Sequence, residues 1–173
     1  RNLGVYNLNI GNYPKALSYF QKAKEINEKL LDKPGIAATL GNIGIVYCNQ
    51  GEYPKSLYHF FRAFEIDSVL GNKSGIATKL GNIGIVYWYQ GDYPKALQHY
   101  FRALELENAL GNKNRIALWL GNIGIVYMDQ GDYPKALAHY IRALELDSAL
   151  GNKSGIADHL GNIGVVYMVQ GDY

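Results

Sequence analysis

The chain matches itself almost from end to end at one fixed offset, the interval that separates Leu40 from Leu80. LGNIGIVY begins at Leu40, Leu80 and Leu120, and LGNIGVVY at Leu160. Tyr-Pro-Lys-(Ala/Ser)-Leu returns at Tyr13, Tyr53, Tyr93 and Tyr133, and Leu-Gly-Asn-Lys at Leu70, Leu110 and Leu150. A fixed period in this range means stacked supersecondary units that build their core between neighbours. The units run approximately over 1–33 (partial), 34–73, 74–113, 114–153 and 154–173 (partial), as a single array.

Each unit reads as two helices. In the best-formed copy the first runs roughly from Ser74 to Gln90, with Ile76, Leu80, Ile83 and Tyr87 at steps of three and four. Ser74 is the expected N-cap, and Gly91 ends the helix in a left-handed conformation. Asp92 then caps a second helix with Pro94 in its first turn, carrying Leu97, Tyr100, Phe101, Leu104 and Leu106 to about Leu110. Gly111-Asn112 breaks it. Gly81 and Gly84 inside the first helix each cost about 1 kcal/mol in an isolated helix. Their return in every unit points to close contact, of helix on helix or of ligand on helix.

Bulk properties narrow the function. A net charge of +2 with 48% apolar residues gives an ordered body without the imbalance of a nucleic-acid surface. The single cysteine, Cys48, leaves no internal disulfide, and the opening RNLGVYNLNI has no signal-peptide pattern. No apolar stretch approaches the roughly 20 residues that span a bilayer. A cytoplasmic protein without membrane contact or cofactor is expected.

Leu80, Ile83, Gly84 and Tyr87, followed by Gly91, Tyr93, Ala96, Tyr100 and Ala103, resemble the tetratricopeptide signature, and the likeness covers the whole chain. Units longer than the usual tetratricopeptide length are similar to those of Pins-type spindle-orientation adaptors, kinesin light chains and bacterial signalling arrays. The resemblance implies an all-α fold: an α-solenoid of antiparallel helix pairs in a right-handed superhelix, whose first helices line a concave groove for a peptide or partner segment. The lysine/arginine carboxylate clamp of chaperone-binding relatives is missing from the groove slots. Asn7 stands where the first unit would carry the signature tyrosine.

At about 100° per residue, Leu80, Ile83, Gly84 and Tyr87 share a core face, and Thr78, Gly81, Asn82, Ile85, Trp88 and Tyr89 lie opposite. By resemblance the second set is the groove wall. Its middle is constant as Asn42, Asn82, Asn122 and Asn162. A carboxamide donates and accepts, so a once-per-unit ladder can bond successive peptide groups, with Gly81 and its counterparts leaving room for the backbone; bonding between neighbouring helices is the other reading. The ends of the face diverge, with Thr78, Leu118 and Asp158 at one end and Trp88, Tyr89, Met128 and Asp129 at the other. Ile85 and Ile125 complete the candidate peptide-binding set. Aromatic and sulfur side chains are enriched at interfaces, so this stripe is the candidate source of selectivity.

No constellation supports catalysis or a metal. His59, His99 and His139 stand once per unit, farther apart than metal ligands at ~2 Å allow; His159 is a lone fourth. Arg62/Glu65, Arg102/Glu105 and Arg142/Glu145 are solvated i,i+3 pairs. Cys48 has no activating partner. LGNIG sits within a helix rather than after a strand, so it is no phosphate loop. Ile163, Val166 and Tyr167 on the last helix are expected to be uncovered. The alternative function is therefore self-assembly or regulation within a larger signalling protein, by head-to-tail stacking of uncapped ends.

Overall fold

The computed structural model describes residues 2–171, which are helical and contain no strand. The outer bounds of the first and last sequence units, at Arg1 and Tyr173, lie outside the described residues. Two compact units emerge. Unit 1, Arg1–Gln90, holds α1 (Leu3–Asn9), α2 (Tyr13–Lys29), α3 (Lys33–Asn49), α4 (Tyr53–Val69) and α5 (Lys73–Tyr89). Unit 2, Gly91–Tyr173, holds α6 (Tyr93–Leu110), α7 (Lys113–Asp129), α8 (Tyr133–Leu150) and α9 (Lys153–Gln170). Within each unit every helix packs on the next, and first-type helices also touch at α3·α5 and α7·α9. This is the all-α helical-repeat architecture.

The caps correct one sequence expectation. The N-cap of α5 is Asn72, whose side chain accepts from the Gly75 N–H at 3.1 Å, two residues before the expected Ser74. Ser74 lies inside the first turn, where its carbonyl accepts from the Thr78 hydroxyl at 2.8 Å. Asn112 and Asn152 cap α7 and α9 in the same way. Asn in the Gly-Asn-Lys turn is thus an acceptor for an otherwise unsatisfied helix N–H. Asp92 caps α6 and Gly91 is left-handed, both as expected.

Leu31 takes the left-handed backbone position that Gly71, Gly111 and Gly151 fill in the later turns, with φ of 55°. A Cβ there costs about 1–2 kcal/mol. The side chain is 83% exposed, so it loses no core packing if removed. Leu31→Gly should therefore raise stability by about 0.5–1 kcal/mol after the added freedom of the unfolded chain is subtracted. Thermal unfolding checks this, and an unchanged or lower Tm counts against it.

The helix-interior glycines are sockets. A Cβ on Gly44 would lie 2.7 Å from Phe60 Cε1, and one on Gly124 2.6 Å from Tyr140 Cε1. The rings of the second-type helices seat directly on the glycine backbone. Phe20, Ile43 and Val46 form one buried cluster of unit 1, and Phe60, Ile83 and Val86 another. In unit 2, Tyr140 packs with Ala136 and Val166. Val166 is fully buried, against the sequence expectation, because it points back at α8; Tyr167 is exposed and Ile163 half-buried. Asn7 is buried at the tyrosine slot of the shortened α1, its amide donating to the Leu3 carbonyl at 2.7 Å.

Candidate functional site

Helical periodicity puts Asn42, Asn82, Asn122 and Asn162 at one slot of α3, α5, α7 and α9, each half-buried. Among the described residues, asparagine side-chain hydrogen bonds belong to the caps and to Asn7 and Asn27, not to this ladder. Each unit has its own cleft beside a ladder member.

The cleft of unit 1 has a volume of about 270 Å³ and is mainly apolar. Ile45, Cys48, Phe60, Ile85 and Tyr89 wall it, with the amides of Asn49 and Asn82. Tyr89 is half-exposed, stacks on Tyr53 at 6.1 Å between ring centres, and meets the tilted Trp88 indole at 4.8 Å. Burial pushes the Cys48 thiol up from its ordinary value, opposed by a hydrogen bond with Ser56.

The cleft of unit 2 is larger, about 570 Å³, and mixes polar with apolar lining. Leu118, Asn122, Ile125 and Asn162 line it together with Asp158 and His159. The remaining expected site residues sit outside both clefts. Thr78 spends its hydroxyl on the Ser74 carbonyl. Asn42 is half-buried on α3, Met128 packs against the Tyr140 cluster, and Asp129 is exposed at the end of α7. Ile85 and Ile125 have two roles, lining a cleft and packing on a core cluster. Burial, with the charge of Asp129 adding to it, pushes the Tyr140 phenol up to about 12.

The glycines beside Asn42 and Asn122 serve the protein itself. A Cβ on Gly41 would lie 3.1 Å from Lys79 Cε, and one on Gly121 2.8 Å from His159 Cε1. These glycines give room to a side chain of the next first-type helix, where the sequence suggested room for a ligand backbone. His59 and His139 are half-buried and stack on Tyr47 and Tyr127, each at 5.4 Å. Desolvation, helped by Lys24, Arg102 and Arg142 respectively, holds His59, His99 and His139 below the ordinary imidazole range. Among the described residues no group of three His, Cys, Asp or Glu converges on a metal position, and no helix is long and apolar enough to cross a membrane. Arg62 and Glu65 pair at 3.4 Å on an exposed face.

Sequence reasoning missed a set of buried polar residues beneath the ladder. Asp67, Glu107 and Asp147 on second-type helices are all but inaccessible, as are Lys79 and His159 on the following helices. Burial raises the Glu107 carboxyl, opposed by Arg115 and by a hydrogen bond from Asn112. Their signal was present in the self-alignment: Thr39, Lys79, Trp119 and His159 occupy one slot and differ in every unit.

The family model described as tetratricopeptide repeat matches residues 1–68, 35–109 and 115–173. No curated protein sequence matches the chain. Among solved structures it is similar to BtubC (BKLC) from P. vanneervenii, at 22% identity and a TM-score of 0.86, over 98% of this chain and 71% of that one. It is similar to aspartyl phosphate phosphatase F from Bacillus subtilis at 18% identity and a TM-score of 0.89, over 97% of this chain and 44% of that one. A Rap protein complexed with competence and sporulation factor matches at 16% identity and a TM-score of 0.85, over 96% and 50% of the two chains. At these identities the likeness is one of fold, and the chain spans only half or less of the last two.

Proposed function

The chain belongs to the tetratricopeptide repeat family, and from that premise we propose that it is a protein-interaction scaffold that holds an extended segment of a partner against its first-type helices. It acts by binding and not by chemistry. The observation that carries this reading is the asparagine ladder: carboxamides at one slot of the first-type helices, with Asn82 opening into the cleft of unit 1 and Asn122 and Asn162 into that of unit 2. A carboxamide beside a cleft can donate to a peptide carbonyl and accept from the next N–H. A structure of the same fold is complexed with competence and sporulation factor, which is consistent with such a role.

Asn82→Ala with Asn122→Ala tests it. Random peptides displayed on phage are selected on the natural chain, and the best binder is titrated against the double variant. Each net hydrogen bond contributes about 0.5–1.5 kcal/mol, so affinity should fall several-fold to a hundredfold with circular dichroism unchanged. Intact affinity with reduced thermal stability would show the ladder to be structural. Selectivity falls to the divergent stripe of Thr78, Trp88, Tyr89, Leu118, Met128 and Asp129. Trp88→Cys, which copies the preceding unit, should change the sequences recovered in the selection while helix content stays the same; an unchanged profile counts against that assignment.

Self-assembly is the second reading. It would use the exposed Leu160, Val165 and Met168 of α9. A heterologous contact on this face would give concentration-dependent chains of molecules. Sedimentation that shows only monomer at high concentration removes this reading.

A further inference from the structure

Near-identical repeats pose a recognition problem of their own, since any second-type helix could accept any following first-type helix. Two slots, one on each helix of an interface, change from unit to unit: Asn27, Asp67, Glu107 and Asp147 on the second-type helices, and Thr39, Lys79, Trp119 and His159 on the helices that follow. At α2·α3 the pair is neutral, with the Asn27 amide donating to the Thr39 hydroxyl at 3.2 Å. At α4·α5 it is ionic, with Lys79 Nζ 3.3 Å from Asp67 Oδ2. At α8·α9 His159 Nε2 lies 3.1 Å from Asp147 Oδ2.

The interface α6·α7 departs from this pattern in three places at once. Its acid is the longer Glu107, and its partner slot holds Trp119, which carries no cation and stacks on Tyr100 at 6.1 Å. The slot that is Gly35, Gly75 and Gly155 elsewhere is here Arg115, and its Nε lies 3.6 Å from Glu107 Oε1. A Cβ on Gly75 or Gly155 would collide with the Asp67 or Asp147 carboxylate. The shorter acid therefore requires glycine, and the longer one comes with arginine. Among the described residues, each buried acid has a basic partner across its interface, and Asn27 and Thr39 pair without charge. A buried charge left unpaired is among the costliest defects a fold can carry.

We infer that these matched sets are the specificity determinants of repeat stacking, so that each second-type helix selects a following helix by its own pair type: amide with hydroxyl after α2, carboxylate with ammonium after α4, carboxylate with guanidinium beside an indole after α6, carboxylate with imidazole after α8.

Urea unfolding and refolding of the full chain test this with Asp67→Asn, Lys79→Thr and both together, the double variant grafting the neutral pair into α4·α5. Each single change should raise the unfolding equilibrium constant at least tenfold, and the double variant should return to within threefold of the natural chain. Lys79→His, which copies the last interface, should also stay within threefold. Effects that simply add in the double variant overturn the pairing. The double variant also places two interfaces in one class, so α3 and α5 compete for the same neighbours. Light scattering after rapid refolding should then show domain-swapped or mis-stacked species absent from the natural chain; clean monomer in the double variant overturns the selective role.

Discussion

Gly124→Ala should destabilise the fold by about 2 kcal/mol, whereas Gly164→Ala, the same change one repeat later, should stabilise it by about 0.5–1 kcal/mol. Both positions are mid-helix, where alanine gains roughly 1 kcal/mol over glycine from backbone entropy. Packing separates them. The added carbon at Gly124 lands 2.6 Å from the Tyr140 ring, which is itself buried. Overpacking of this kind costs typically about 1–3 kcal/mol and more where the neighbour is fixed. At Gly164 nothing stands within 4 Å, so only the helix gain remains. Gly44→Ala should follow Gly124→Ala, with Phe60 in place of Tyr140. Thermal unfolding of the three variants reads the contrast directly: a chain this size shifts about 2–4 °C per kcal/mol. Equal effects at Gly124 and Gly164 would mean that the aromatic side chains do not seat on the glycines.

The repeat period and the helix pairs were legible in the sequence because both are written in strict periodicity: one constant interval between copies and three-to-four spacing within them. Gly91 and Asp92 were legible because left-handed and capping positions restrict residue type. Ser74 was misassigned because serine is a good cap anywhere, and only the backbone shows that Asn72 is the residue facing the free N–H. The burial of Val166 escaped because its helix face also packs on the preceding helix, against Ala136 and Tyr140 of α8. Glycine-asparagine adjacency suggested space for a ligand. Lys79 and His159 fill that space from the next first-type helix, a contact between repeats that local pattern cannot reveal. Aligning the divergent slots against each other would have exposed the pairing of Asp67 with Lys79 and of Asp147 with His159, since acid and basic partner are replaced together by Asn27 and Thr39 in the first pair.

The repeated histidines make stability depend on acidity. His59 packs against Tyr47 and edge-on against Tyr58, with Lys24 as its facing charge; His139 lies on Tyr127 and near Phe101, with Arg142 beside it. His99 occupies the same slot and feels Arg102. Folding lowers all three from 6.5, first through desolvation and then through those cations. The unfolded chain therefore takes up protons first as pH falls. Their contribution is complete above pH 6.5 and is lost as pH drops through the lowered folded values. Glu107 has the opposite sign: burial raises it from 4.5, so its contribution is complete below that value and is lost as pH rises through the folded one. At most one proton per histidine bounds the slope at about 1.4 kcal/mol per pH unit for each, and partial exposure of the rings reduces it. Tm should fall by several degrees between pH 7 and pH 5. A variant with Gln at 59, 99 and 139 should start lower, since each lost ring stack costs about 0.5–1.5 kcal/mol, but its Tm should be nearly flat across that interval. The slope is the diagnostic quantity, because lost stacking lowers Tm equally at both pH values while lost protonation changes only the difference. A triple variant with the natural slope would assign the acid sensitivity to other groups.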